Sequence, residues 1–224
     1  MATGKDIAIV GAGIGGLAAA IALRRAGQRV TVFERFTAPR PVGSGLMLQP
    51  TGLAALERLG LREPMAALGA PIVRLHGVTD RGRTVFDLAY ADLDPTLYAL
   101  AVHRAALHGV LWDGFAASEA MLEGGRTIVG TDVQSGDRVG VIDAAGRMTG
   151  NFDLVVDASG VRSALRALVS RGKMRPFTYG AVWANVPDIG FAPHTLAQRY
   201  VAARVMVGYL PAGRMVTEIG RAHV

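Results

Sequence analysis

The chain of 224 residues is half hydrophobic, carries a formal net charge of +6 and contains no cysteine. This length and composition allow a substantial core in one large or two smaller domains, and they exclude a disordered protein. Without cysteine there are no disulfides, thiolate nucleophiles or cysteine-ligated metal centres, and the five histidines lack metal-ligand spacing. The basic residues are scattered without interleaved aromatics, so the positive charge does not indicate nucleic-acid binding.

The N-terminal region resembles neither a membrane anchor nor a secretion signal. No run in the chain approaches the roughly 18 uninterrupted apolar residues that a spanning helix needs. The N-terminal apolar run lacks the charged start and cleavage site of a signal peptide, and it is itself the first predicted strand. We therefore expect a cytoplasmic protein with no membrane span.

The first structural pattern is a strand, a glycine-rich turn and a helix, over residues 6–27. Gly11 suits a tight turn, Gly13 lets the backbone approach a pyrophosphate, and Gly16 lets the helix pack closely on the strand. The helix N-terminus adds unpaired N–H groups and a positive dipole end, which attract phosphate. The first glycine turn, which we predict to bind a dinucleotide, consists of Gly11, Ala12, Gly13, Ile14, Gly15 and Gly16.

A second strand over residues 29–34 ends at Glu34, and Arg35 follows it. In this arrangement the acidic side chain at the strand tip lies where the adenosine ribose would bind. An acid there favours a ribose without a 2′-phosphate, as in FAD or NAD. The first glycine turn and Glu34 by themselves leave FAD and NAD equally open.

The segment over residues 39–50 reads as a connection. Its prolines, with Gly43 and Gly45, favour a path on which backbone rather than side chain approaches a ligand. Two short helices follow. Residues 72–79 and 84–88 then predict a hairpin outside any βαβ unit. Later strands that extend the same sheet begin at Tyr179, Ala197 and Arg204.

A helix is predicted over residues 101–112, with Arg104 near its start. A cation is unfavourable at the positive end of the helix dipole, so Arg104 indicates an anionic partner there. A further strand ends at Asp157 and runs into a second turn at Ser159 and Gly160. A second phosphate-approach point within one domain favours a larger dinucleotide, and hence FAD over NAD.

These patterns together resemble the FAD-dependent aromatic hydroxylases and flavoprotein monooxygenases, the family that includes p-hydroxybenzoate hydroxylase. Four signatures occur in the order typical of that family over nearly the whole chain. They are the first glycine turn with Glu34-Arg35, the stretch from Gly43 to Leu61, the helix start His103-Arg104-x-x-Leu107, and the segment Asp157 to Arg166. The resemblance implies an α/β fold, with a Rossmann-like FAD-binding domain and an inserted, mostly antiparallel β-sheet substrate domain.

The resemblance also implies roles for individual residues. In the family the first glycine turn holds the FAD pyrophosphate, and the segment at Asp157 is usually written Gly-Ala-Asp-Gly. This chain has Asp157 in place of the first glycine and Ser159 in place of the aspartate, which leaves nicotinamide binding by this segment open. Outside the first glycine turn, the implied cofactor-binding residues are Glu34, Arg35, Gly45, Arg104, Val133, Asp157, Ser159 and Gly160.

The activity that the resemblance implies is FAD-dependent monooxygenation. NADH or NADPH would reduce FAD, and one oxygen atom would pass from a flavin hydroperoxide to a small aromatic substrate. The sequence identifies no catalytic side chain. Trp183, Tyr200 or Tyr209 are candidates for substrate contact, although each residue type is more typical of a core position. A related FAD oxidoreductase of the halogenase or prenyl-reductase type, and a non-catalytic nucleotide-binding remnant, stay open as alternatives.

Domain boundaries follow from the same resemblance. We predict an FAD-binding domain over residues 1–70 and 97–172, and part of a substrate domain over residues 71–96 and 173–217. The family continues beyond this length, so we expect an N-terminal fragment that is inactive by itself and holds FAD weakly or not at all. Residues 218–224 match the translation of a common sequencing-library adapter, and we expect them to be a non-native tail.

Overall fold

The computed structural model describes residues 4–38, 43–133, 135–172, 174–175, 179–187, 192–202, 204–212 and 215–223. The α-helices are α1 (Ile14–Arg25), α2 (Pro50–Arg58), α3 (Arg62–Ala66), α4 (Arg104–Ala116) and α5 (Arg166–Val169). The strands are β1 (Asp6–Val10), β2 (Arg29–Glu34), β3 (Gly45–Leu48), β4 (Ala70–Ile72), β5 (Arg74–Thr79), β6 (Thr84–Ala89), β7 (Ala99–His103), β8 (Met121–Gly124), β9 (Ile128–Val133), β10 (Val139–Asp143), β11 (Met148–Phe152), β12 (Leu154–Asp157), β13 (Tyr179–Pro187), β14 (Thr195–Val201), β15 (Val205–Ala212) and β16 (Met215–His223).

The chain forms two compact units. The first consists of Met1–Arg40 and His108–Met174, and the second of Pro41–Leu107 and Arg175–Val224. The first unit contains a parallel sheet in the order β12-β1-β2-β8 and an antiparallel sheet in the order β11-β10-β9. The second contains a six-stranded sheet, β13-β16-β15-β14-β5-β6, and a three-stranded sheet, β3-β7-β4. The predicted α/β fold class is confirmed, and the predicted FAD-binding and substrate domains stay a prediction.

The parallel sheet is centred on β1 and β2, which are apolar and rich in β-branched residues, as is typical of strands covered on both faces. Ile7–Val10 and the pair Val32 and Phe33 are at most 4% exposed. Phe33 meets Phe152 edge to face, with ring centroids 5.9 Å apart. Because β1 and β2 run parallel and pair in register, their C-terminal ends lie side by side. The first glycine turn begins at that edge of the sheet, and Glu34 lies there at the end of β2.

Ion pairs hold the opposite end of β1. The Asp6 carboxylate accepts hydrogen bonds from Arg29 at 2.6 and 2.9 Å and from Arg138 at 3.0 Å. Arg138 also pairs with Asp153 at 3.1 Å. The hydrogen bonds from Arg29 and Arg138 lower the pKa of Asp6 to about 2, from an ordinary value of 3.8.

We expect the ion pairs of Asp6 to stabilise the fold less in acid. The pKa of Asp6 is lower in the folded than in the unfolded chain. The contribution of Asp6 to the free energy of unfolding is therefore complete above the pKa of the unfolded chain, and it is lost as the pH falls through about 2. The Asp6 side chain is 32% exposed, and solvent screening limits the contribution to about 1 kcal/mol. Urea denaturation should show Asp6→Asn costing about 1 kcal/mol more at about pH 5 than at about pH 2.

Asp113→Asn, at an exposed position of α4, is the matched control and should have the same effect at both pH values. Equal costs of Asp6→Asn at both pH values would contradict the assignment of the pH dependence to Asp6.

In the second unit the prediction of a helix over residues 101–112 is wrong at its start. Ala99–His103 forms β7, and α4 begins at Arg104. β7 pairs with β3 on one side and β4 on the other, and Ala99–Val102 are at most 1% exposed. Pairing on both sides outweighs the helix propensity of the alanines. Gly45–Leu48, predicted as part of a connection, is the strand β3, which pairs antiparallel with β7.

The predicted hairpin and the later predicted strands share the six-stranded sheet, as the sequence indicated. β16 pairs antiparallel with β13 on one side and β15 on the other along Met215–His223. The backbone of residues 218–223 therefore belongs to this sheet, and the assignment of residues 218–224 as a non-native tail stays a prediction. Within the described ranges, no helix has the length and apolar character needed to cross a membrane.

Candidate functional site

The first glycine turn joins the C-terminal end of β1 to α1. Gly11 has a φ of +104°, a backbone conformation that favours glycine, and its N–H donates to the Phe33 carbonyl at 2.8 Å. A Cβ built on Gly16 would lie 1.9 Å from the Gly11 carbonyl oxygen. The tight turn and the close packing of the helix that the sequence indicated are therefore both present.

The other side of this turn is open. Among the described residues, no atom lies within 4 Å of a Cβ built on Gly13 or Gly15. Gly13 is the N-cap of α1, and its carbonyl accepts from the Leu17 N–H at 2.9 Å. The first N–H groups of a helix have no intrahelical acceptor and carry the positive end of the dipole. A phosphate group therefore fits the space beside Gly13.

Ala12, in the middle of the first glycine turn, is held by two side chains. Its N–H donates to Glu34 Oε2 at 2.8 Å, and its carbonyl oxygen lies 3.0 Å from His108 Nε2. Glu34 Oε1 also accepts from the Phe36 N–H at 3.1 Å. The carboxylate at the tip of β2 thus lies against the first glycine turn, and its contact with a ribose stays a prediction.

His108 is a residue of this site that the sequence did not indicate. It lies in α4 and stacks on Trp112, with ring centroids 6.3 Å apart. The available signal was the spacing of four residues, which puts His108 and Trp112 on one face of a helix. Nothing in the sequence placed that face against the Ala12 carbonyl.

The second glycine turn, residues 158–160, lies beside the first. A Cβ built on Gly11 would lie 2.6 Å from the Ala158 carbonyl oxygen, and Gly160 has a φ of +83°. The structure thus brings the predicted residues Asp157, Ser159 and Gly160 next to the first glycine turn, within the first unit.

Neighbouring donors engage the Asp157 carboxylate. Its Oδ1 accepts from the Ser159 N–H at 3.0 Å and from Ser159 Oγ at 2.5 Å, and its Oδ2 accepts from Ser163 Oγ. Burial raises the pKa of Asp157, but the hydrogen bonds from Ser159 and Ser163 outweigh burial and lower this pKa below its ordinary value. The carboxylate is therefore ionised at neutral pH and organises the second glycine turn.

A separate group of predicted residues lies in the second unit. Gly45 pairs with His103 across β3 and β7, and the Arg104 N–H donates to the Ser44 carbonyl at 3.0 Å. A Cβ built on Gly43 would lie 2.6 Å from Arg104 Cδ, so the arginine stem packs directly on this glycine. The Arg104 side chain is exposed at the start of α4, where an anion would offset the unfavourable placement of a cation.

Arg35, Val133 and Trp183 are exposed, whereas Tyr200 and Tyr209 are half-buried. The Arg35 guanidinium lies 4.6 Å from the centroid of the Phe36 ring, and Val133 at the end of β9 is 73% exposed. Trp183 in β13 is 44% exposed. The contacts of these side chains with a cofactor or substrate stay predictions. In the part of the chain that the structure describes, no group of three or more His, Asp or Glu side chains could hold a metal ion.

The chain is similar in sequence to known proteins. The sequence matches the profile of a family described as an FAD binding domain over residues 5–204. It is 36% identical to 3-amino-4-hydroxybenzoate 2-monooxygenase of Streptomyces cremeus, over 81% of this chain and 46% of that protein. It is 31% identical to aurachin C monooxygenase/isomerase of Stigmatella aurantiaca, over 84% of this chain and 49% of that protein.

A solved structure shares the fold. Klebsiella pneumoniae HpxO, solved with FAD and uric acid, superposes with a TM-score of 0.84 and 22% identity, over 98% of this chain and 57% of that chain. The chain spans about half the length of the curated relatives that it matches.

Proposed function

This chain belongs to the FAD binding domain family, and on that premise we propose that it provides the FAD-binding part of a cytoplasmic monooxygenase. The enzyme would use NADH or NADPH to hydroxylate a small aromatic substrate. The observation that carries the proposal is the first glycine turn, open at Gly13 and bordered by the Glu34 carboxylate. The names of the relatives describe monooxygenases, which supports this activity over that of a halogenase or prenyl reductase.

The residues of each unit fit parts of FAD. In the first unit the N–H groups at the start of α1 would bind the pyrophosphate, and Glu34 would accept hydrogen bonds from ribose hydroxyls. In the second unit the exposed Arg104 guanidinium would pair with a phosphate oxygen. Bound FAD supplies the electron transfer and the oxygen chemistry, while the chain binds and orients it.

Gly13→Ala tests the placement of the phosphate. Gly13 has a φ of −75° and open space around a built Cβ, so alanine should leave the fold intact. The new methyl group would occupy the space through which the backbone approaches the pyrophosphate. In a full-length protein that contains this sequence, we expect FAD affinity, measured by titration of flavin fluorescence, to fall at least about tenfold, which corresponds to about 1.4 kcal/mol.

Gly109→Ala in α4 is the matched control, because a Cβ built there also meets no described atom within 4 Å. It should leave FAD affinity unchanged, and the melting temperature should stay the same or rise slightly, because alanine favours a helix over glycine. If Gly13→Ala binds FAD as tightly as the unsubstituted chain, the pyrophosphate does not lie beside Gly13.

The activity is tested on a full-length protein that contains this sequence. Oxidation of NADH or NADPH that a phenolic compound stimulates, with a hydroxylated product, would support the monooxygenase. A product that forms only with halide, or reduction of a prenyl chain, would contradict it.

A further inference from the structure

The acidic residue of the second glycine turn is displaced by two positions from the usual pattern of the resembling family. In the structure two hydrogen bonds join Asp157 to the residue at position 159. Ser159 Oγ donates to Asp157 Oδ1 at 2.5 Å, and the Ser159 N–H donates to the same oxygen at 3.0 Å. The carboxylate of Asp157 therefore lies directly against position 159, where the family carries its acid.

A connected set of hydrogen bonds continues from Asp157 through the turn. Its Oδ2 accepts from Ser163 Oγ, and that hydroxyl oxygen in turn accepts from the Arg166 N–H at 3.0 Å. The Gly160 carbonyl accepts from the Ser163 N–H at 3.1 Å and from Arg166 Nη2 at 3.0 Å. Asp157 is the common acceptor for both serines, so its charge holds the two ends of the segment together.

The second glycine turn packs closely on the first. A Cβ built on Gly11 would lie 2.6 Å from the Ala158 carbonyl oxygen and 3.0 Å from Ser159 Cα. A Cβ built on Gly16 would lie 3.4 Å from Ala158 Cβ. A small shift of the second glycine turn would therefore press on the first glycine turn or open a gap behind it.

We propose that Asp157 is a positioning residue for FAD. Its carboxylate fixes the second glycine turn against the first, and it thereby sets FAD affinity without touching the cofactor. The inference rests on the proposed function. A carboxylate offers about four acceptor positions, and Asp157 already uses three of them on Ser159 and Ser163. Its role is to hold the turn rather than to bind a ribose or a nicotinamide.

Asp157→Asn keeps the size of the side chain but removes the charge and one of the two accepting oxygens. Two measurements test it in a full-length protein that contains this sequence. The dissociation constant for FAD comes from fluorescence titration, and hydrogen–deuterium exchange without FAD reports on the Ser159 and Arg166 amides. We expect affinity to fall on the order of tenfold and both amides to exchange faster, while β1 and β2 exchange as before.

Asp113→Asn, exposed in α4, is the matched control and should change neither measurement. Ser163→Ala removes the donor to Oδ2 and keeps the charge, so it should weaken FAD binding in the same direction by a smaller factor. Because both substitutions break the same hydrogen bond, the loss in the double variant should be smaller than the product of the single losses. Ser163→Ala also keeps the test decisive if Asp157→Asn fails to fold.

Faster amide exchange with unchanged FAD affinity in Asp157→Asn would show a purely structural role and overturn the proposal. Unchanged exchange would overturn it as well, because the carboxylate would then not hold the turn. An unsubstituted full-length protein that binds no FAD would contradict the proposed function, and the positioning role with it. FAD binding with unchanged affinity in Asp157→Asn contradicts the positioning role alone.

Discussion

In a full-length protein that contains this sequence, Gly16→Val is expected to abolish measurable FAD binding and to lower the free energy of unfolding by about 2–3 kcal/mol. A Cβ built on Gly16 lies 1.9 Å from the Gly11 carbonyl oxygen. That oxygen belongs to the backbone, and the Gly11 N–H is already bonded to the Phe33 carbonyl at 2.8 Å. No side chain can rotate away, so α1 has to move off β1 and carry its phosphate-facing N-terminus with it. Flavin fluorescence titration and urea denaturation measure the two effects.

Gly15→Ala is the matched control for the effect on stability, one residue earlier in the same helix. No described atom lies within 4 Å of a Cβ built there, so alanine adds no clash. Alanine also favours the helix over glycine by about 0.5–1 kcal/mol, and stability should therefore stay the same or rise slightly. A Gly16→Val variant as stable as the unsubstituted chain would show that the built contact does not limit the packing of α1.

The first glycine turn was predictable because its constraints are local. The φ of Gly11 and the contact between Gly16 and the Gly11 carbonyl depend on a few consecutive residues. The alternation of strand and helix around them is also local, and it fixes where Glu34 falls. The parallel pairing of β1 with β2 follows from this short crossover.

The start of α4 was mispredicted because its conformation depends on distant partners. Ala101 and its neighbours favour a helix by propensity, but β3 and β4 pair with them on both sides. β8 likewise forms through its parallel pairing with β2, and no pattern within Met121–Gly124 predicts a strand. The contact of His108 with the Ala12 carbonyl joins residues far apart in the sequence, so it required the fold.

In the second glycine turn, one feature could be predicted from the sequence and another depended on the fold. The displaced acid was visible in the sequence, and so was its departure from the family pattern. That Ser159 and Ser163 both donate to Asp157 was not visible, since it depends on the φ of +83° at Gly160 and on the path of the following residues. The residues that depart from the family pattern in the sequence thus form a connected hydrogen-bond network in the structure.

Phe33→Ala is expected to lower the free energy of unfolding by about 3–5 kcal/mol. Phe33 is 1% exposed and packs edge to face on Phe152, with ring centroids 5.9 Å apart. Truncation would leave a cavity lined by the buried cluster that includes Val141 and Leu165. Because the Phe33 carbonyl holds the Gly11 N–H and Glu34 follows directly, FAD binding should weaken as well.

Phe36→Ala is the control for this substitution. It removes the same ring three residues later, where the side chain is 36% exposed and lies under the Arg35 guanidinium. The expected cost is below about 1 kcal/mol, since a partly exposed ring gives up little burial and a cation–π contact at an exposed site is weak. Urea denaturation of the two variants measures the difference. Similar losses in both would show that the core under β2 relaxes around the cavity, and that the position of Glu34 does not depend on Phe33.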